Sequence, residues 1–167
     1  TTLAPGLVFE TSDPFVVKTV VPDSAADKKD IDIRPGDRLT AVNGQKVNPE
    51  INREFYFRGP ARGAELAMTF KRNGKPFTVK MHPGNTYGFR TNLYDDWTRN
   101  NRRYVDKNGK NRIAYVHMKN MRSSELKNFL IYMTTQAPGK DGLILDLRNN
   151  TGGNVHDKVL NFLSQRP

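Results

Sequence analysis

The sequence contains no cysteine, which excludes disulfides, thiolate zinc sites and a cysteine nucleophile within it. Its three histidines, His82, His117 and His156, are scattered without metal-ligand spacing, so no metal site is expected. No apolar run approaches the ~18 residues of a membrane-spanning helix, and no membrane span is expected. The opening TTLAPGLVFE has no basic stretch leading into an apolar one, so a secretory leader is expected to be absent or already removed. Acidic residues are scarce: 17 stand against 27 Lys and Arg, giving a net charge of +10. The excess is local. Residues 1–70 carry 9 basic and 10 acidic side chains, residues 71–112 carry 11 and 3, and residues 113–167 carry 7 and 4. A basic stripe can attract phosphates, but no helix-turn-helix, zinc finger or RNA-binding sheet motif accompanies it. It reads as a solvated face or a surface meeting an acidic partner, and nucleic acid is not the expected partner.

What is present is enough for folded domains. Hydrophobic residues make up 36% of the 167, and that length fits one large domain or two small ones. LVFE and FVVKTVV read as strands separated at Asp13-Pro14. DSAAD fits one helical turn, and RPGD a tight turn before the strand RLTAV. Asn43-Gly44 accepts the positive φ of a two-residue hairpin turn. PEINREFYFRG reads as a helix, with Pro49 and Glu50 in its first turn and Gly59-Pro60 as its stop. AELAMTF and PFTVKM alternate, placing Leu66, Met68 and Phe70, then Phe77, Val79 and Met81, on inward faces, with a turn at Arg72–Lys75.

HPGNTYG, residues 82–88, marks a boundary, and an aromatic and basic connector follows in which Tyr94, Trp97 and Tyr104 can pin the chain and WTRNNRRYV can be helical. RIAYVHM then reads as a strand. Ser123 or Ser124 can cap a helix carrying Leu126, Phe129, Leu130 and Met133 at i, i+3, i+4, i+7. GLILDL has the continuous apolar character of a strand buried on both faces. RNNTGGN is a glycine loop, and VHDKVLNFL a helix with Val155, Val159, Phe162 and Leu163 on one face. The expected fold class is α+β: a β-rich domain over 1–84, a connector over 85–111, and a partial β-α-β-loop-α core over 112–167. Such a core leaves sheet edges and helix faces uncovered, so it is expected to be truncated and completed by chain beyond it.

The first part resembles a PDZ domain of the bacterial protease type. The resemblance is carried by PGLVF (5–9), VVPDSAAD (20–27), IRPGDRLTAVNGQKV (33–47) and FRGPARGAELAMTFKRNGK (57–75). It implies a groove in which the backbone amides of Gly6, Leu7, Val8 and Phe9 hold a peptide's terminal carboxylate, with Ile51 and Phe55 on the facing helix. Consecutive free amides make an anion nest, and the next strand edge accepts the peptide as an added strand. Val8 departs from the pattern, since many relatives have a second glycine there. The alternative is that GLVF merely begins a strand.

The second part resembles the tricorn and carboxyl-terminal processing peptidases, a serine peptidase family. YDDWTRNNRRYVD (94–106), RIAYVHMKNM (112–121) and DGLILDLRNNTGGNVHDKVLNFL (141–163) carry the likeness, and Asp-x-Arg-x-Asn-x-Gly-Gly after a strand is its most specific element. It implies peptide-bond hydrolysis through an acyl-enzyme, without metal or organic cofactor, with the backbone N–H of Gly152 or Gly153 in the oxyanion hole. The alternative is a glycine-rich turn with no catalytic part. Asp146 and Arg148 read as a structural pair. The family's nucleophilic serine lies several tens of residues past this loop. Ser12, Ser24, Ser123, Ser124 and Ser164 all sit in turns or at helix ends, and His156 reads as a surface or hydrogen-bonding residue. Expected partners are a peptide or protein substrate and the rest of the catalytic domain. The expected location is periplasmic or secreted in a bacterium, with the cytoplasm as the alternative. The rival readings are a non-catalytic PDZ peptide-binding module and, more weakly, a polyanion binder using residues 71–112.

Overall fold

The computed structural model describes residues 2–59 and 63–165. They fall into two units, Thr1–Asp96 and Trp97–Pro167. The first contains β1 (Leu3–Ala4), β2 (Leu7–Phe9), β3 (Val17–Val20), β4 (Arg38–Val42), β5 (Gln45–Lys46), β6 (Leu66–Arg72), β7 (Lys75–Met81) and β8 (Gly84–Asn85). Helix α1 (Thr86–Asn108) then runs through the division between the units. The second unit adds β9 (Ile113–His117), α2 (Ser123–Thr135), β10 (Gly142–Asp146) and α3 (His156–Ser164).

In the first unit β5, β4, β6 and β7 form one antiparallel sheet in that order, while β2 pairs with β3 and β1 with β8. The alternating strands fill the core as their pattern demands: Leu66, Met68 and Phe70 are all buried, joined by Leu39, Val42, Phe15 and Phe57. Asn43 at φ 49° and Gly44 at φ 78° form the hairpin turn between β4 and β5, and Asn73 and Gly74 repeat it between β6 and β7. The RPGD turn is tied by a buried carboxylate. Asp37 accepts from the Arg34 amide at 2.7 Å and from Arg72 Nε and Nη2 at 2.7 and 2.8 Å. The Arg72 guanidinium lies over the Phe77 ring at 4.8 Å.

Three local expectations are corrected. Only Arg53–Phe55, a 3-10 turn, is helical within the segment from Pro49 to Gly59. The Asn48 side chain takes the Glu50 amide at 3.0 Å, the Asn52 side chain takes the Glu54 amide at 2.9 Å, and Asn52 is non-helical at ψ 124°. Asparagine side chains thus capture amides that a longer helix would use. The expected stop at Pro60 lies outside the described residues. Next, Ser123 and Ser124 are the first residues inside α2 rather than its cap; Arg122 holds the cap position without a side-chain hydrogen bond. Finally, β10 is not buried on both faces. It pairs with β9 alone among the described residues, in parallel, and Ile144 is 45% exposed. On α3, Val159 is buried and Phe162 packs on Phe129, but Leu163 is exposed.

Phe70 is fully buried and stacks on Phe77 with ring centroids 5.7 Å apart. Phe70→Ala is predicted to lower the unfolding free energy by about 3–5 kcal/mol, through lost transfer energy and the cavity left behind. Urea denaturation measures this; a loss below ~1 kcal/mol, ordinary for a surface substitution, would contradict the packing.

Candidate functional site

The second unit aims a glycine loop from the carboxyl end of β10. Asp146 ends that strand opposite His117 of β9 and is buried. Its carboxylate accepts from Tyr115 Oη at 2.7 Å, from the Arg148 amide at 3.0 Å, and from Arg148 Nε and Nη2 at 2.9 and 2.5 Å. The Arg148 guanidinium holds the Asp146 carboxyl well below the usual carboxylate range, outweighing burial, and the Tyr115 hydroxyl adds to the effect. Burial, then the bond to Asp146, pushes the Tyr115 phenol up. Arg148 also stacks over Trp97 at 5.0 Å, Trp97 meets the His117 ring edge-on at 4.9 Å, and His117 Nε2 donates to the Arg148 carbonyl at 2.8 Å. The expected structural pairing of Asp146 with Arg148 is therefore present, and Trp97 closes the group. The Tyr104 ring stands 70% exposed.

Past Arg148 the loop is fastened to the segment that follows β9. Asn150 Nδ2 donates to the Met118 carbonyl at 2.8 Å and the Thr151 amide to the Lys119 carbonyl at 3.1 Å. Met121 then pairs with Gly153 as a parallel bridge. The Met121 amide donates to the Gly152 carbonyl at 2.8 Å, and the Met121 carbonyl accepts from the Asn154 and Val155 amides at 2.8 and 3.1 Å. The two glycines are thereby distinguished. The Gly152 N–H is already bonded to Asn150 Oδ1 at 2.7 Å. The Gly153 N–H has no acceptor among the described residues, and the parallel bridge turns it away from Met121. A Cβ on Gly153 would lie 2.1 Å from the Met121 carbonyl oxygen, and its φ of 148° also favours glycine. Both residues are exposed, just before α3.

No serine hydroxyl among the described residues is bonded to a histidine. Ser24 Oγ donates to the Gly6 carbonyl at 3.4 Å, and Ser164 Oγ to the Asn161 carbonyl at 3.0 Å. His156 begins α3, is exposed, and lies 3.4 Å from its neighbour Asp157. No group of histidines and carboxylates among the described residues could hold a metal ion. No helix among them is long and apolar enough to cross a membrane.

In the first unit, β2 pairs with β3 and leaves its other edge unpaired among the described residues. Gly6 precedes it at φ 93°, and a Cβ there would strike Ser24 Oγ at 2.0 Å. Beside that edge is a cleft of about 310 Å³. Gly6, Leu7 and Phe9 line it, whereas Val8, Ile51 and Phe55 do not. Arg53 and Glu54, from the 3-10 turn, and Phe89 and Arg90, from α1, line it instead. None of these four was foreseen in the sequence, because the turn was read as a helix presenting Ile51 and Phe55 to the groove, and residues 85–111 were read as an aromatic and basic connector with a helix only over WTRNNRRYV.

Comparison with known proteins follows these divisions. The model of a PDZ domain matches residues 16–71, and that of peptidase family S41 matches residues 112–164. Tricorn protease homolog 1 of Streptomyces coelicolor is 26% identical over 171 aligned residues, which cover 96% of this chain. The chain is tricorn-like: a PDZ domain and the start of a peptidase core. The relative named "Probable periplasmic serine protease do/HhoA-like" from Haemophilus influenzae is 37% identical over 65 residues, 39% of this chain. The crystal structure of the tricorn protease aligns over 99% of this chain at 21% identity with a TM-score of 0.70, so the fold is shared. This tricorn-like chain spans 14% of the length of the Streptomyces relative, 14% of the Haemophilus one and 17% of that crystallised chain.

Because the folded-state pKa of Asp146 is depressed, its carboxylate adds stability above the unfolded value near pH ~4, and the contribution is lost as the pH falls toward the folded pKa. Asp146→Asn is therefore predicted to be less stable than wild type at neutral pH and to lose less stability on acidification below pH ~4. Trp97 is the single tryptophan and sits against Arg148, so its fluorescence can follow urea unfolding at each pH. Parallel stability-against-pH curves for the two proteins would overturn the assignment.

Proposed function

We propose that this chain is part of a serine endopeptidase in which the Gly153 N–H is an oxyanion donor and the PDZ domain binds peptide C-termini. The supporting observation is the outward Gly153 amide, unbonded among the described residues and backed by the Met121 carbonyl with no room for a side chain. In acyl transfer a hydroxyl oxygen attacks the scissile carbonyl carbon, and the carbonyl electron pair moves onto oxygen. A preorganised N–H stabilises that charge as it forms. Collapse expels the amine with a proton, and water then hydrolyses the acyl-enzyme. Gly152, whose amide is engaged by Asn150, supports the turn. Asp146, Arg148 and Trp97 hold the strand end from which the loop springs.

The nucleophile is assigned to chain outside these 167 residues, since the five serines serve turns and helix ends. The division of roles is 1–84 for peptide binding, 85–111 for connection and 112–167 for the core. The partners are a peptide or protein substrate and the remaining catalytic domain, with no cofactor. The cell envelope is the proposed location, on the strength of the Haemophilus relative's printed name, and the cytoplasm is the alternative. The second functional reading, a PDZ peptide-binding module without catalysis, draws its support from the cleft beside β2 alone.

Three outcomes are predicted. Residues 1–167 alone should hydrolyse no unstructured peptide, and turnover abolished by a serine-directed inhibitor would refute the placement of the nucleophile. In the full-length enzyme, an amide-to-ester replacement at residue 153 deletes the N–H and adds no side chain. It should lower kcat by roughly 100- to 1000-fold with little change in KM. Gly152→Ala, strained at φ 79° but with nothing within 4 Å of the added Cβ, should instead cost stability and leave most of kcat. Near wild-type kcat in the residue-153 ester would reduce the loop to a turn.

A further inference from the structure

Between Arg148 and α3 the chain runs as a loop, yet it is laced to residues 118–121, the segment that follows β9. The Met118 carbonyl accepts from Asn150 Nδ2 at 2.8 Å, the Lys119 carbonyl from the Thr151 amide at 3.1 Å, and the Gly152 carbonyl from the Met121 amide at 2.8 Å. One of these rungs is a side chain. The Asn150 amide turns back to the Leu147 carbonyl at 3.1 Å, and the carboxamide reaches Met118 in its place. The other end of that carboxamide, Oδ1, accepts from the Gly152 amide at 2.7 Å. We propose that Asn150 is the positioning residue of the oxyanion donor: it withdraws the Gly152 N–H and holds the peptide between Gly152 and Gly153 in the orientation that presents the Gly153 N–H. The inference rests on the oxyanion reading above and adds to it the residue that makes one glycine amide, and not the other, the donor.

Two successive glycines leave a peptide plane that can turn over. Gly152 lies at φ 79° and Gly153 at φ 148°, and neither has a Cβ to hinder rotation of the plane between them. In a trans peptide the C=O and N–H point in opposite directions. Met121 holds the Gly152 carbonyl, so the Gly153 N–H points outward. The reverse orientation would present a carbonyl oxygen, which repels a developing oxyanion. Met121 fixes the plane that follows the Gly152 Cα. Asn150 fixes the plane that precedes it, through the Gly152 N–H. Because Asn150 is itself tied to Met118, both anchors stand on the same short segment. Gly152 is thereby held from both sides against one support, and the loop cannot turn about it without breaking one of these bonds.

The side chain suits this task chemically. A carboxamide offers a carbonyl acceptor and an N–H donor in one plane, as a peptide group does. Asn150 is half-buried with both ends of its amide engaged, so it acts through Gly152 and not on substrate. Two replacements separate the ends. Asn150→Asp keeps an acceptor for Gly152 but sets an oxygen against the Met118 carbonyl. Asn150→Ala loses both ends and frees the Gly152 N–H as a competing donor.

The experiment compares these variants in the full-length enzyme and in the 15N-labelled chain of 167 residues. Asn150→Ala should lower kcat by roughly tenfold, about the factor that one net hydrogen bond supplies, with little change in KM. Asn150→Asp should retain most of kcat, although both variants should melt below wild type. A merely structural residue would order the variants by melting temperature, whereas a positioning residue orders them by whether the Gly152 N–H keeps its acceptor. In the labelled chain the Gly152 amide should exchange with water more slowly than the Gly153 amide. Asn150→Ala should erase that difference, and Asn150→Asp should preserve it. Equal exchange at the two glycines of wild type, or equal loss of kcat in the two variants, would overturn the role of Asn150. If the residue-153 ester lowers kcat while Asn150→Ala keeps it in full, the oxyanion reading stands and this inference fails alone. If the ester keeps near wild-type kcat, both fail.

Discussion

The carbonyl oxygen of Met121 occupies the place where a side chain at position 153 would stand. That one steric fact organises the second unit. It requires glycine at 153, and by accepting from Asn154 and Val155 it also fixes the entry into α3. Because Met121 spends its own amide on Gly152, the bridge leaves the amide between these partners, that of Gly153, on the open side. A loop made only of flexible residues could not hold an N–H in one direction. Here the freedom of glycine serves close approach, and the neighbouring segment removes the motion that glycine would otherwise allow.

Both units solve one electrostatic problem in the same way. A carboxylate is buried at the end or start of a strand, Asp37 before β4 and Asp146 at the end of β10. Burying a lone carboxylate costs several kcal/mol, so each is met by an arginine with two nitrogens and by a backbone amide. Each arginine then lies over an aromatic ring, Phe77 or Trp97. The pairs differ in what they hold. Asp37 ties the RPGD turn to β6, whereas Asp146 draws in Tyr115 and sets the strand end that launches the glycine loop. The loss of the second pair should therefore be felt in the loop as well as in stability.

Sequence made much of this legible because strong local signals agree with the tertiary fold. Asn43-Gly44 and Asn73-Gly74 could be little else than hairpin turns, and the alternation of Leu66, Met68 and Phe70 could face only one core. The Asp-x-Arg-x-Asn-x-Gly-Gly pattern marked the loop but left its two glycines equivalent. Their difference depends on Met121, which lies far away in the chain and carries no pattern. Local competition misled the reading of residues 49–59, where Asn48 and Asn52 take amides that a helix would use. GLILDL misled for a different reason: a continuous apolar run records a strand's eventual neighbours, and β10 has β9 alone among the described residues.

The basic stripe shows the same limit from the side of charge. Counted along the chain, residues 71–112 look like a track for a polyanion. In the structure several of these cations already have separate partners: Arg72 serves Asp37, Lys80 pairs with Glu65, Arg112 pairs with Asp141, and Arg102 stacks on Tyr132. Charges spent on separate local contacts do not add up to one continuous field, since an exposed pair is screened within about 10 Å. Arg90 differs because it faces a concave, partly apolar space, where water screens a charge less well.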